Sequence, residues 1–124
     1  MTGPADDEVG RRSVLVVEDE YILAMELESA LILAGFTVLG PAGSIDLALN
    51  LINEQRPNAA ILDVTIGGEV VTPVALLLKS LHVPFILASA STAAELARYE
   101  VLADVHNVGK PTDMKRLVSL VRGL

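Results

Sequence analysis

Ser13-Val14-Leu15-Val16-Val17-Glu18-Asp19-Glu20 is the stretch that decides the fold. Val14 to Val17 is apolar on both faces, as a strand sandwiched between two helix layers must be. It ends abruptly in three carboxylates. Beyond them Ile22, Leu23, Leu27, Ala30, Leu31 and Ala34 recur at helical spacing and are predicted to face inward. Gly35 then supplies the left-handed residue that ends helices. This is one strand-helix unit, and the remainder of the chain repeats it.

Thr37 to Leu39 reads as a second strand, with Gly40-Pro41-Ala42-Gly43 as a turn into a helix capped by Ser44. Ile45, Ala48, Leu51 and Ile52 form its inner face, and Pro57 closes the unit. Ala59 to Leu62 is a wholly apolar third strand with Asp63 at its carboxyl end. Thr72 before Pro73 predicts an N-cap and N1 pair starting a helix through Val74, Leu77, Leu78 and Leu81. Pro84 to Ala88 is the fourth strand, and Thr92 with Glu95 forms a capping box. Asp104 to Val108 is the fifth strand, and Thr112 caps a last helix with Leu117, Val118 and Val121 on one side.

The chain has 124 residues, a net charge of −7, no cysteine and 52% hydrophobic residues, which fits one domain. Residues 1–12 lack periodicity and carry an acidic cluster and two arginines. They are expected to form a disordered tail, with 13–124 as the domain. Without cysteine there are no disulfides, thiolate zinc sites or thiol nucleophiles. Sixteen acidic residues against nine Lys plus Arg, with 3% aromatics, argue against a nucleic-acid surface. The apolar runs are too short to cross a membrane, and the first twelve residues do not resemble a signal peptide. A cytoplasmic location is expected.

Ligands of an open parallel sheet bind outside the carboxyl ends of its strands. The polar residues sort to that edge: Glu18 and Asp19 from the first strand, Asp63 from the third, Ser89 from the fourth, Lys110 from the fifth. Two unit charges about 4 Å apart repel by roughly 4 kcal/mol at an effective dielectric of ~20, so such a cluster calls for a cation. An all-oxygen ligand set favours Mg²⁺, with Mn²⁺ as a substitute. A carboxylate beside a divalent metal, an ammonium and a hydroxyl is equipped to attack phosphorus. Asp63 is therefore the candidate phosphoacceptor.

Four stretches, Val14-Leu-Val-Val-Glu-Asp-Glu20, Ile61-Leu-Asp-Val64, Pro84-Phe-Ile-Leu-Ala-Ser-Ala90 and Lys110-Pro111, resemble the receiver (CheY-like) domain of two-component response regulators, of the stand-alone type. The resemblance covers Ser13 to Leu124. It implies a flavodoxin-like (βα)5 three-layer sandwich with a five-stranded parallel sheet of order 2-1-3-4-5. It also implies that Asp19 binds Mg²⁺ directly, Glu18 through water, and Asp63 as both ligand and phosphorylated residue. Thr65 would offer its backbone carbonyl to the metal, Ser89 would sense the phosphoryl group, and Lys110 would pair with a phosphoryl oxygen. The phosphodonor implied is a histidine kinase or a histidine phosphotransfer protein. Such a protein is not an ordinary enzyme, but a phosphoacceptor with Mg²⁺-dependent phosphotransfer and autodephosphorylation chemistry.

Output is expected by protein contact, without nucleic acid or membrane, through the face made by the fourth helix, fifth strand and last helix. That face holds Glu95, Arg98, Tyr99, His106, Lys115 and Arg116, and a homodimer through it is left open. Asn107 stands three residues before Lys110, where receivers usually carry an aromatic switch. The loop Thr65-Ile-Gly-Gly-Glu69 lacks a common proline, and Gly67-Gly68 reads as flexibility. His82 and His106 read as surface residues. Leu76-Leu77-Leu78 is either a helix packed from two directions or an exposed contact patch. Two alternatives stand beside this reading: a phosphorylation-independent interaction module, and an aspartate-nucleophile phosphohydrolase of the haloacid dehalogenase type. The second wants an acid two residues after Asp63, where Thr65 stands.

Overall fold

Alternation along β1 (Ser13–Val17) builds two cores, one on each face of a sheet. A computed structural model describes residues 11–124. Leu15 and Val17 point to one side, with Ala60, Leu62 and Leu87, while Val14 and Val16 point to the other, with Ile61, Ile86 and Ala88. The central sheet is four-stranded and parallel, in the order β2 (Thr37–Ala42), β1, β3 (Ala59–Leu62), β6 (Phe85–Leu87). Helices α1 (Tyr21–Leu33) and α6 (Met114–Arg122) cover one face. Helices α2 (Ile45–Glu54), α3 (Thr72–Ser80), α4 (Ala93–Leu96) and α5 (Glu100–Ala103) cover the other. The three layers and the α/β class match the expectation.

The expected fifth strand is reduced to a single parallel bridge, Leu87 with Asn107. Leu87 N donates to His106 O and Val108 N to Leu87 O, both at 2.8 Å. Past Asn107 the chain turns at Gly109 (φ 83°), so no second rung forms. The expected order 2-1-3-4-5 is therefore met over its first four positions by β2-β1-β3-β6, and at the fifth only that bridge forms.

Gly40 to Ala42 is not a turn but the end of β2, which bulges between the partners of Leu15 and Val17. The fourth helix is broken into α4 and α5 around Tyr99. Its capping box forms as expected, Thr92 Oγ1 accepting from Glu95 N and Glu95 Oε1 from Thr92 N. The last helix is capped by Asp113, whose Oδ1 accepts from Arg116 N, because Thr112 Oγ1 donates instead to Gly109 O. Thr72 lies inside α3, with Val71 as its N-cap.

Helix α1 shows where periodicity misleads. Its sequence is apolar nearly all round, and the buried face is Ala24, Leu27 and Leu31. Ile22, predicted inward, is 73% exposed, and neighbouring Tyr21 and the more distant Leu33 are exposed as well. Leu78 enters the core while Leu76 stays exposed, so the Leu76 to Leu78 run packs by its ordinary inner face. His82, read as a surface residue, is exposed and takes a left-handed conformation (φ 59°) that ends α3.

Of the expected disordered tail, 1–12, residues 1–10 lie outside the described residues. Arg12, assigned to that tail, is instead held. Its guanidinium donates to Val121 O, Arg122 O and Leu124 O at 3.1, 2.9 and 2.8 Å and lies 5.7 Å from the Phe36 ring centroid. The exposed carbonyls at a helix C-terminus attract a cation, which moves the domain's edge back by one residue.

Candidate phosphoacceptor site

Two strand ends and the turn beyond the Asn107 bridge deliver carboxylates and an ammonium to one rim. β1 runs directly into Glu18 and Asp19, and Glu18 N donates to Ala42 O at 2.9 Å, continuing the sheet's bonding to the rim. β3 places Asp63 beside them, with Asp63 N donating to Val17 O at 2.9 Å. Carboxylate oxygens of Glu18, Asp19 and Asp63 all lie within 4.8 Å of one another. Glu18 is buried, Asp63 half-buried and Asp19 exposed, a gradient from core to solvent.

Lys110 reaches this cluster from beyond the bridge residue. Its Nζ donates to Asp63 Oδ2 at 2.8 Å and lies 3.2 Å from Glu18 Oε1 and 3.7 Å from Glu20 Oε1. The Glu18 approach is close enough for charge pairing but lies off hydrogen-bond geometry. Among the described residues, Glu18 Oε1 is therefore the buried side-chain polar atom without a hydrogen bond. The other oxygen, Oε2, accepts from Glu20 N at 2.9 Å at the start of α1.

Burial pushes the Glu18 carboxyl above its ordinary pKa of 4.5. The Glu20 amide opposes that rise, the Asp63 charge adds to it, and Lys110 opposes it. For Lys110, burial acts downward, but the hydrogen bond and charge of Asp63, with Glu18, outweigh it and raise the ammonium above 10.5. A buried carboxylate oxygen that is charge-paired with Lys110 at 3.2 Å but makes no hydrogen bond, and that faces two neighbouring carboxylates, suits a hard cation. The donor set thus fits Mg²⁺, which would be held by Glu18, Asp19 and Asp63.

Gly67 belongs to this site in a way the sequence reading missed. β4 (Thr65–Ile66) and β5 (Glu69–Val70) form an antiparallel hairpin around Gly67-Gly68, with φ of 58° and 82°. Two successive left-handed residues make the tight turn that glycine pairs favour, so the segment is a built hairpin. Gly67 N donates to Asp19 Oδ2 at 2.8 Å and ties that hairpin to the cluster. A Gly-Gly pair between Thr-Ile and Glu-Val was the available signal. Glu20, the third carboxylate of the deciding stretch, was also passed over.

Thr65 sits on β4 beside the rim, close to Ser91, Glu95 and Tyr99. Ser89 is buried at the end of β6, and its hydroxyl accepts from Ser91 N at 3.0 Å and pairs with Ser91 Oγ at 2.9 Å. It is turned toward its own loop. Asn107 joins that loop to the turn before Lys110: Oδ1 accepts from Ser89 N and Gly109 N, both at 3.0 Å.

No family model matches the chain. A 67-residue stretch is 40% identical to the transcriptional regulatory protein PdtaR of Mycobacterium tuberculosis, strain H37Rv, covering 52% of this chain. The match spans about a third (32%) of that relative's length. The receiver domain of PhyR from Erythrobacter litoralis superposes with a TM-score of 0.82 at 21% identity, covering 93% of this chain and 90% of that one. A chain described as a response regulator from Chloroflexus aurantiacus gives 0.77 at 27% identity, covering 91% and 96%. The chain has the fold of a response-regulator receiver domain, as the four strand-end stretches suggested.

Proposed function

We propose that this receiver domain accepts a phosphoryl group on Asp63 from a histidine kinase or histidine phosphotransfer protein in the cytoplasm. The observation that carries the reading is the meeting of Glu18, Asp19, Asp63 and Lys110 at one rim of the sheet. Residues 13–124 form the unit that performs it.

In the transfer, a carboxylate oxygen of Asp63 forms a bond to phosphorus while the P–N bond of phosphohistidine breaks. The imidazole nitrogen leaves with the electron pair, and water later hydrolyses the acyl phosphate to carboxylate and inorganic phosphate. Bound Mg²⁺ supplies charge neutralisation at the phosphoryl oxygens. Lys110, which donates to Asp63 Oδ2, would supply more, and Val64 N, 2.7 Å from Asp63 Oδ1, fixes the carboxylate's orientation. Thr65 would offer a backbone carbonyl to the metal, and the Ser89 hydroxyl would donate a hydrogen bond to a phosphoryl oxygen once it leaves Ser91.

Phosphorylation adds about −1.5 to −2 charges at the rim. Converting a 1:99 mixture to 99:1 needs ~5.5 kcal/mol of differential affinity, within reach of several charge-assisted bonds. Output would leave by protein contact at the face holding Glu95, Arg98, Tyr99, His106, Lys115 and Arg116, where Arg116 Nη2 lies 3.1 Å from His106 Nε2.

The test is mass spectrometry after treatment with acetyl phosphate and Mg²⁺, with Asp63→Asn in parallel. One phosphoryl group on the wild-type chain and none on the variant supports the reading. Labelling that persists in Asp63→Asn overturns the assignment, and no labelling in either favours a phosphorylation-independent interaction module.

A further inference from the structure

At Asn107 a side-chain amide takes the place of a sheet rung. In a parallel ladder, alternate residues of an edge strand present N–H and C=O to the same neighbour, so the partners after Leu87 would be Ser89 N and O. Leu87 is bonded by the backbone of His106 and Val108. Ser89 is bonded by the Asn107 side chain instead. Oδ1 accepts from Ser89 N at 3.0 Å, and Nδ2 donates to Ser89 O at 3.2 Å and to Ser91 O at 3.4 Å.

The same Oδ1 accepts from Gly109 N at 3.0 Å, one residue before Lys110. Two backbone donors converge on that oxygen, which fixes the orientation of the amide. One half-buried side chain therefore grips both turns that carry candidate phosphoryl-binding groups, Ser89 on one side and Lys110 on the other. No aromatic ring could make these bonds.

We propose that Asn107 is a positioning residue that locks the Ser89–Ser91 turn to the Gly109–Lys110 turn, so that both respond as one unit to a change at Asp63. The inference rests on the phosphoacceptor reading above. It gives a receiver without the usual aromatic at this position a different coupling element. The amide transmits displacement through hydrogen bonds rather than through rotation of a ring.

The test uses the full ¹⁵N-labelled chain with Mg²⁺ and beryllofluoride, which stands in for a phosphoryl group. In the wild type, the amides of Ser89, Ser91, Gly109 and Lys110 shift on one common binding curve. Asn107→Ala loses all four of these side-chain hydrogen bonds, and beryllofluoride affinity falls about tenfold, the worth of roughly one of them in binding. The shifts at Gly109 and beyond separate from those at Ser89. Ser13→Ala removes a remote hydroxyl contact with Asn58 and serves as a control for stability loss alone, leaving both signals unchanged.

Should Asn107→Ala fold poorly, hydrogen exchange in the wild type carries the test, because Ser89 N and Gly109 N share one acceptor. Their exchange slows by a similar factor on beryllofluoride binding, and independent behaviour overturns the proposal. A wild-type response that Asn107→Ala matches within twofold rejects the role of Asn107 alone. A wild type with no response at the rim rejects the phosphoacceptor reading, and the role of Asn107 with it.

Discussion

Lys110 Nζ donates to Asp63 Oδ2 at 2.8 Å across 47 positions of sequence. The ammonium is thus the local counter-charge for carboxylates that otherwise repel. Lys110→Ala should lower stability in the presence of a chelator by about 1–3 kcal/mol, the scale for removing a charged hydrogen bond from a partly buried group. Mg²⁺ should bind this variant more tightly than the wild type and restore most of the loss, since ligand at 100 times its Kd contributes ~2.7 kcal/mol. Urea denaturation with and without Mg²⁺ measures both effects. A loss that Mg²⁺ leaves untouched would mean that Lys110 acts by packing.

Glu18 gives a pH prediction of definite sign. Burial holds its carboxyl above 4.5, aided by Asp63 and opposed by the Glu20 amide and Lys110. A group whose folded pKa is raised contributes stability that is fully present below 4.5 and is lost as pH rises through the folded value. Lys110, also raised, loses its contribution only above 10.5, so it does not interfere near neutrality. Without metal, Glu18→Gln should therefore gain stability relative to wild type as pH climbs from 4.5 toward neutral. With Mg²⁺ the order should reverse. Denaturation midpoints that run parallel across this range would show that Glu18 does not carry the cost.

Strands β1 and β3 were legible because burial on both faces leaves a run of unbroken apolar residues, and the acids that follow them mark the rim. Lys110 was legible only through its company with those motifs. The inner face of α1 was not, since Ile22, Met25, Ile32 and Leu33 are as apolar as the buried Leu27 and Leu31. Tertiary packing chose among equivalent stripes. The fifth strand was overread because Val105 and Val108 suggested a ladder. Asn107 ends that ladder by bonding sideways, a competition that strand patterns do not record.

Asp19 has two separable duties. Its Oδ2 accepts from Gly67 N at 2.8 Å, and its charge is part of the carboxylate cluster proposed to hold Mg²⁺. Asp19→Asn keeps an acceptor oxygen while removing the charge, so the Gly67 amide should stay protected from hydrogen exchange. Mg²⁺ affinity should nevertheless drop by about tenfold or more, because ligand charge sets affinity at such sites. Asp19→Ala should lose both. Equal Mg²⁺ affinity in Asp19→Asn and wild type would place the cation elsewhere.

Gly35 and Gly40 share a left-handed backbone, with φ of 96° and 90°, yet should respond differently to alanine. A Cβ on Gly35 meets nothing within 4 Å, so Gly35→Ala carries only the conformational penalty of about 1–2 kcal/mol. A Cβ on Gly40 would lie 2.6 Å from Ala42 N and 3.0 Å from Val16 O. Both are backbone atoms at the bulge that leads β2 toward Glu18, and neither can step aside without moving the strand. Gly40→Ala should cost at least ~2 kcal/mol more than Gly35→Ala, the scale of an overpacked core. It should also weaken Mg²⁺ binding, because Glu18 N is anchored to Ala42 O. Thermal melting and Mg²⁺ titration of the two variants side by side check this. Equal losses in both would mean that the close approach at Gly40 relaxes freely.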